Sequence, residues 1–384
     1  MPTGNATFLG SLYTELELRS GSFNRDLGMV EQSVRSTMGN IQSAARTMAV
    51  AFGAVFAGGV LGFRETAEAA ADFEASMNRI RSVSGASQVD LDRLAAVARR
   101  LGQETYFSGQ QIAEGMEELI RGGTSVEEAL QGAADATVAL AAAGRIDLAS
   151  AADVTTDAMQ AFSLKASDLV RISDLFAGAA NRSSTNVQEL TFAFRQSAGV
   201  AAAVGMPIEG LIAALGVLAD RALKGSDAGT SLRTMLLRLS PDTDAAAEQM
   251  KALGIITTDG ANRFFDAAGK MRPLADIADV LNQTMGAMTE KDRTDALSKM
   301  FGQDAIRAAT AIFSTAGKGV RDFERAISGV KAADVAKIQM EGLSGALEEL
   351  RGSIETMLIE FGEPLLKPIT FIVDELNKVV DFAA

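Results

Sequence analysis

The sequence contains no cysteine, no histidine and no tryptophan. Disulfides are therefore impossible, and zinc sites built from cysteine or histidine ligands are excluded. Catalysis through an imidazole base or a thiolate nucleophile is excluded as well. Carboxylates, lysines, tyrosines and hydroxyls are the reactive groups that remain. Proline is scarce, with 6 in 384 residues, and aromatics make up 5%. Few prolines favour long helices. The chain is nonetheless 47% hydrophobic, with alanine dominating the apolar set. That combination implies helices in close approach, separated by thin layers of side chains. Basic residues are outnumbered by acidic ones, 36 to 49, for a net charge of −13. So acidic a chain has no electrostatic reason to grip phosphates, and Arg99-Arg100 is its only adjacent basic pair. No specific nucleic-acid binding is expected. The first forty residues lack a basic start followed by an apolar run, so no secretory signal peptide is read there.

Helical patterning dominates what is present. Leu12, Leu16 and Leu18 alternate with Tyr13, Glu15, Glu17 and Arg19, which predicts one short strand. A helix is predicted from about Phe23 to Thr47, with a narrow apolar stripe at Leu27, Val30, Val34, Met38 and Ile41. Residues 48–63 form an uncharged apolar run flanked by Arg46 and Arg64. It contains Phe52 and Phe56, and Gly58 and Gly62 give a Gly-x-x-x-Gly spacing. The run is shorter than the usual bilayer span. Two readings stand beside each other: a buried or self-associating helix, and a segment that enters a membrane.

From Thr105 onward helical elements recur about every 40 residues, the signature of stacked units rather than one central pocket. Ser108–Gln111, Ser125–Glu128 and Thr185–Gln188 fit the capping box. Helix starts are predicted near Ser108, Asp147, Thr185 and Ser226, and a second set near Ser125, Ala166 and Pro207. Glu127, Asp168 and Glu209 then occupy equivalent first-turn positions, where negative charge suits the helix dipole. Breaks are expected at Gly122-Gly123, Gly144-Arg145, Phe162-Ser163 and Val204-Gly205. After Pro241 the pattern changes to a short helix ending at Gly254, a turn or small hairpin between Ile255 and Gly269, and further helices. Leu343, Leu347, Leu350, Ile354, Leu358 and Phe361 give the tail an apolar stripe suited to association between copies. The uncapped stop at residues 381–384 reads as the edge of a longer protein.

The predicted fold class is all-α. A helical-hairpin, solenoid-like array carries a short N-terminal strand and long amphipathic helices at both ends. Four segments are expected: 1–64, with strand, helix and apolar run; 65–240, the Ala-rich array; 241–327, a small helical subdomain with the turn or hairpin; and 328–384, the amphipathic C-terminal helices.

Candidate chemistry is thin. Lys224, Gly225, Ser226, Asp227, Gly229 and Thr230 superficially suggest a phosphate loop, but no strand precedes them and the Gly-Lys-Ser/Thr ending is missing. The segment reads instead as a tight turn between helices. Gly225 would supply positive φ, Ser226 or Asp227 would cap, and Gly229 would allow close packing. Glu117-Glu118, Glu127-Glu128 and Glu348-Glu349 are neighbours that point apart on a helix. Asp153 and Asp157 share a face with nothing beside them to ligate a metal. No catalytic residue, cofactor or metal is expected.

Several stretches resemble the core domain of phage tail tape measure proteins. They are Phe73–Met77, Leu101–Ser108, Ala158–Leu164 and Leu218–Leu236, with Leu253–Ile255 and Phe301–Ile306 as later markers. The resemblance covers roughly residues 65 to 310, and Lys-Gly-Ser-x-Ala-Gly-Thr-x-Leu-Arg is its most specific part. Ala222 stands where that family often has glycine. The resemblance implies a virion structural protein that lies in the tail-tube lumen, templates tube polymerisation, sets tail length and leaves on DNA ejection. Implied partners are further copies in a bundle, the tail tube protein, the tail tip or baseplate, tail assembly chaperones, and the host inner membrane. Assembly would take place in the bacterial host cytoplasm. The residues alone also admit a soluble helical scaffold or adaptor that binds a protein partner, and a membrane-perturbing protein acting through residues 48–63.

Overall fold

A computed structural model describes residues 60–341, 345, 350–363, 366 and 370. The predicted N-terminal strand and the helix at 23–47 lie outside them. The chain divides into two compact units, residues 1–75 with 354–384, and residues 76–353.

Helix α1 (Val60–Ser84) begins in the smaller unit. There Gly362 lies so close to α1 that a Cβ on it would meet the Thr66 carbonyl and the Ala70 methyl. The helical residues 354–363 therefore approach α1 nearly backbone to backbone. Of the predicted tail stripe, Leu343 and Leu347 lie outside the described residues. Leu350 is exposed, and Ile354, Leu358 and Phe361 are half-buried. The buried positions are Gly352, Thr356, Ile359 and Gly362, a face offset from the predicted stripe on which the two glycines permit close approach.

The larger unit is an array of two helical layers. One layer holds α2 (Gln88–Glu104), α4 (Ala134–Gly144), α6 (Leu169–Arg182) and α8 (Ile208–Asp220). The other holds α3 (Gly109–Arg121), α5 (Leu148–Ala161), α7 (Val187–Ala203) and α9 (Gly225–Leu237). Helices alternate between layers along the chain, and within each layer sequential members pack on one another, except that α2 packs on the stretch just before α4. Helix α4 is preceded by a helical turn at Val126–Glu128 and a π-helical stretch at Ala129–Ala133, where Gly132 leaves helical geometry at φ 119°.

Local chemistry explains where these helices begin. Ser108 and Ser125 form complete capping boxes with Gln111 and Glu128. Asp147 caps α5 through the Ser150 amide, and Ser87 caps α2 through the Asp90 amide. At the third expected box the structure differs. The cap is Asn186, whose side chain accepts from the Glu189 amide, not Thr185. Asparagine is the stronger cap of these two neighbours. The second-layer caps Ser108, Asp147, Asn186 and Lys224 fall 39, 39 and 38 residues apart. All four expected breaks carry a left-handed residue: Gly123, Arg145, Ser163 and Gly205.

The same period is written in side-chain bonds. Arg79 to Glu117, Arg171 to Glu209, Arg195 to Asp157, and the Gln160 amide to the Gly122 carbonyl each join residues 38 apart. Each repeat is thus pinned to the next at its surface, while alanine and leucine fill the interior. Ala141, Ala151, Ala213, Leu140 and Leu211 are all fully buried.

Beyond the array, α10 (Asp244–Ala252) is followed by two antiparallel bridges, Ile256 with Asn262 and Phe265 with Met271. Then come α11 (Leu274–Met285), α12 (Glu290–Ser328) and α13 (Ala332–Met340). Helices α12 and α13 run back along the array. Helix α12 packs on α9, α8 and α6 in turn, and α13 packs on α6 and α4. Gly216 of α8 receives the Phe323 ring, and the Asp174 carboxylate of α6 accepts the Ala332 amide at 2.7 Å. Helix α12 is not continuous. Gly302 (φ 70°, ψ −179°) and Ala316 (φ 57°, ψ 167°) divide it into three helical pieces.

Candidate functional site

The segment Arg221–Arg238 sits where the array ends and the returning helices begin. It opens with a turn in which Ala222 is left-handed (φ 61°), and Gly225 follows at φ 59°. Lys224 is the cap of α9 and makes no side-chain capping bond. The expectation that Ser226 or Asp227 caps the helix is therefore corrected. Both lie inside its first turn, past the capping position, and Asp227 instead reaches Arg307 at 3.4 Å. Thr230 is half-buried and its carbonyl accepts the Thr234 hydroxyl at 3.0 Å. Most of the glycine-rich stretch is thus the start of a helix rather than a loop.

That helix has two working faces. One carries Gly225 and Gly229 against α7. A Cβ on Gly225 would meet the Glu189 carboxylate, and one on Gly229 would meet the Ala193 carbonyl. The other face holds α12. The Ser231 hydroxyl donates to the Asp304 carbonyl at 2.7 Å and accepts the Ala308 amide at 3.2 Å. The Arg238 guanidinium donates to the Phe301 carbonyl at 2.6 Å, and Arg221 to the Ser314 carbonyl at 3.3 Å. Sequence reasoning placed Arg221, Ser231 and Arg238 in or beside the diagnostic segment but gave them no task. The signal was two cations just past the ends of apolar helices, where they can reach bare carbonyls.

Electrostatics elsewhere follows from capping and packing. The Ser125 hydroxyl and amide hold the Glu128 carboxyl below the usual carboxylate range. Asp147 is also lowered: burial pushes it up, but the Ser150 amide and hydroxyl outweigh that push. Glu324 moves the other way. Partial burial raises it, Arg321 draws it down, and Asp276 and Glu209 raise it further, for a net rise. Clefts recur at equivalent turns along one edge, between 83–90 and 120–127 and again between 161–171 and 202–209. Their charged residues are spent on neighbours, Arg93 on Glu127 and Arg171 on Glu209. Asp153 and Asp157, which share a face as expected, both pair with Arg195. Among the described residues no group of three or more acidic side chains is placed to hold a metal ion. Phe52, Phe56 and Gly58 of the apolar run lie outside the described residues, and Gly62 falls in the first turn of α1. Among the described residues no helix is long and apolar enough to cross a membrane.

Stacked helical hairpins, capped at their starts and joined by side-chain bonds 38 residues apart, define a helical-array class of protein. Comparison with known proteins gives that class a family. Residues 95–302 match the family described as phage-related minor tail protein, and the chain belongs to that family. The resemblance to tape measure proteins is borne out by curated relatives. A tape measure protein of Pneumococcus phage Dp-1 is 29% identical over 312 residues, covering 81% of this chain and 26% of the relative. A probable tape measure protein of Escherichia phage P2 is 27% identical, covering 78% of this chain and 37% of the relative. One from Clostridium phage phiCD119 is 22% identical, covering 80% and 33%. The chain therefore spans about a quarter to a third of the length of these relatives. No solved structure matches it.

Proposed function

We propose that this chain is a structural part of a phage tail, acting in tail assembly as a portion of a tape measure protein. The observation that carries the reading is the coincidence of the family match at 95–302 with the two-layer array and the returning helices. The finer role is to template tail-tube polymerisation and set tail length from within the tube lumen, leaving on DNA ejection. Its partners in that role are further copies of the chain, the tail tube protein, the tail tip or baseplate and assembly chaperones. Its place is the virion tail. The acidic balance suits a lumen shared with DNA, because a surface of net charge −13 does not retain passing phosphates. In this reading residues 65–240 are the array, 241–327 the start of the return, and Lys224–Thr230 a packing junction without chemistry of its own.

The test is an in-frame deletion of one whole repeat, residues 148–186, in a phage that carries this gene, with tail length measured by electron microscopy. Shortened tails are expected. Assembled tails of unchanged length refute the length-setting role, while failure to assemble any tail supports a structural part but not a ruler.

A further inference from the structure

We propose that α12 is a releasable strap, held bent by three side chains of the array's end and one of α11, and built to straighten into one continuous helix when they let go.

Nothing in the local sequence demands both bends. No proline lies between Pro273 and Pro364. The first break is at Gly302, a residue that tolerates its positive φ. The second is at Ala316, whose φ of 57° and ψ of 167° fall in a region essentially reserved for glycine. Alanine is the best helix former, so Ala316 is held against its own preference. Docking must supply the force.

The docking contacts are placed where a helix would otherwise satisfy itself. An unbroken helix bonds each carbonyl to the amide four residues on. At the Gly302 break, the Phe301 carbonyl is taken by Arg238 at 2.6 Å. At the Ala316 break, the Ser314 carbonyl is taken by Arg221 at 3.3 Å, and the Gly317 amide by the Asp279 carboxylate at 3.1 Å. Between the breaks, the Ser231 hydroxyl bonds both members of one ladder pair, the Asp304 carbonyl and the Ala308 amide. Insertion of a side chain into the ladder is an established cause of helix distortion. Five backbone groups at and between the breaks are thus met by specific polar groups of α9, of the residues flanking it, or of α11. Releasing the strap returns these groups to the helix and removes the strain at Ala316. It also uncovers the α8 surface at Gly216, where Phe323 now sits. Straightened, the 39 residues of α12 would reach about 58 Å at 1.5 Å per residue.

The inference stands on this geometry alone and holds or fails whatever the outcome of the tail-length test. The absence of cysteine allows clean labelling. Spin labels replace Lys291 and Arg325, whose side chains are 83% and 78% exposed. Thirty-four residues apart, they would lie about 51 Å apart on a straight helix, and closer when α12 is bent. In the full chain, Arg221→Gln with Arg238→Gln is expected to create or enlarge a population near that distance. It should also speed hydrogen exchange of amides 303–328 roughly tenfold, with α7 and α8 unchanged. Ala316→Gly is expected to do the reverse, because it relieves the bent form and weakens the straight one. Gly302→Ala, whose Cβ would meet the Arg238 guanidinium, is expected to favour the straight form. An unchanged distance distribution in the double arginine variant overturns the proposal. So does faster exchange spread equally over α7 and α8, which reports loss of the whole fold. A broad distribution without the long-distance peak also overturns it, since the segment then melts instead of straightening.

Discussion

Gly229 offers a sharp test of the packing described here, because a second glycine supplies its opposite. On α9, a Cβ at Gly229 would run into the Ala193 carbonyl oxygen, and would lie 2.8 Å from both the carbonyl carbon and the Gln196 Cβ. Two of those obstacles are backbone atoms, so no rotamer change relieves the clash. Helices α9 and α7 must move apart, and overpacking of this kind costs about 1–3 kcal/mol, occasionally more. Alanine is favoured over glycine within a helix by about 1 kcal/mol, which offsets part of that cost. Gly229→Ala should therefore lose up to about 2 kcal/mol net. Gly199 is also helical, but it is exposed and nothing lies within 4 Å of its would-be Cβ. Gly199→Ala should gain about 0.5–1 kcal/mol from propensity alone. Urea denaturation followed by circular dichroism reads both. With a slope near 3 kcal/mol/M, the first variant should unfold about 0.5 M earlier and the second about 0.2–0.3 M later, with slopes unchanged. If both substitutions shift the midpoint in the same direction, close approach of α9 and α7 is not what Gly229 provides.

Further outcomes are expected. Glu117 is buried, its side chain 7% exposed, and it pairs with Arg79 and Arg121, so Glu117→Gln should cost about 1–3 kcal/mol with little dependence on salt. Arg195→Ala, which loses pairs with Asp153 and Asp157 on an open surface, should cost at most about 1 kcal/mol, and less as salt is added. Comparable costs and equal salt dependence for the two would contradict the assigned burial. Opposed pKa shifts give a pH signature. Glu128 and Asp147 are lowered in the fold, so the unfolded chain binds more protons and the stability they contribute, present above the usual carboxylate range, is lost as pH falls through their folded values. Glu324 is raised, so its contribution is complete at acid pH and is lost as pH rises through its folded value. Glu324→Gln should accordingly raise the urea midpoint at pH 7 and lose that advantage in acid; a lower midpoint at pH 7 would reverse the assigned sign.

Features set by a few adjacent residues were legible in the sequence. Ser108 with Gln111 and Ser125 with Glu128 needed only their own helix turns, and Gly123 and Gly205 mark ends because left-handed backbone suits glycine. A step of about 40 residues was legible as a pattern of such starts and breaks, though not the ladder of side-chain bonds, 38 residues apart, that joins successive repeats. What escaped reading depends on partners far along the chain. Asn186 displaced Thr185 because two competent caps stood side by side and only the packed helix decides between them. The break at Ala316 is opposed by its own residue type and exists because Arg221 and Asp279, 93 and 38 residues from the groups they bind, hold it.

The segment from Arg221 to Arg238 shows why a stretch can identify a family and still conceal its task. Its glycines fall on one side of α9 and its polar contacts on another, so each residue type answers to a different neighbour. Gly229 answers to a carbonyl of α7, and Ser231 to a carbonyl and an amide of α12. A helix that must touch backbone on both sides has little freedom in sequence, since a side chain of the wrong size or polarity fails against atoms that cannot move. That constraint produces a recognisable string of residues fitted to the helices on either side. An array can vary in its exposed helices, but at its last hairpin it must both end and turn the chain back over itself. The stretch that most specifically resembles the family therefore lies where the array ends and the chain turns back over it.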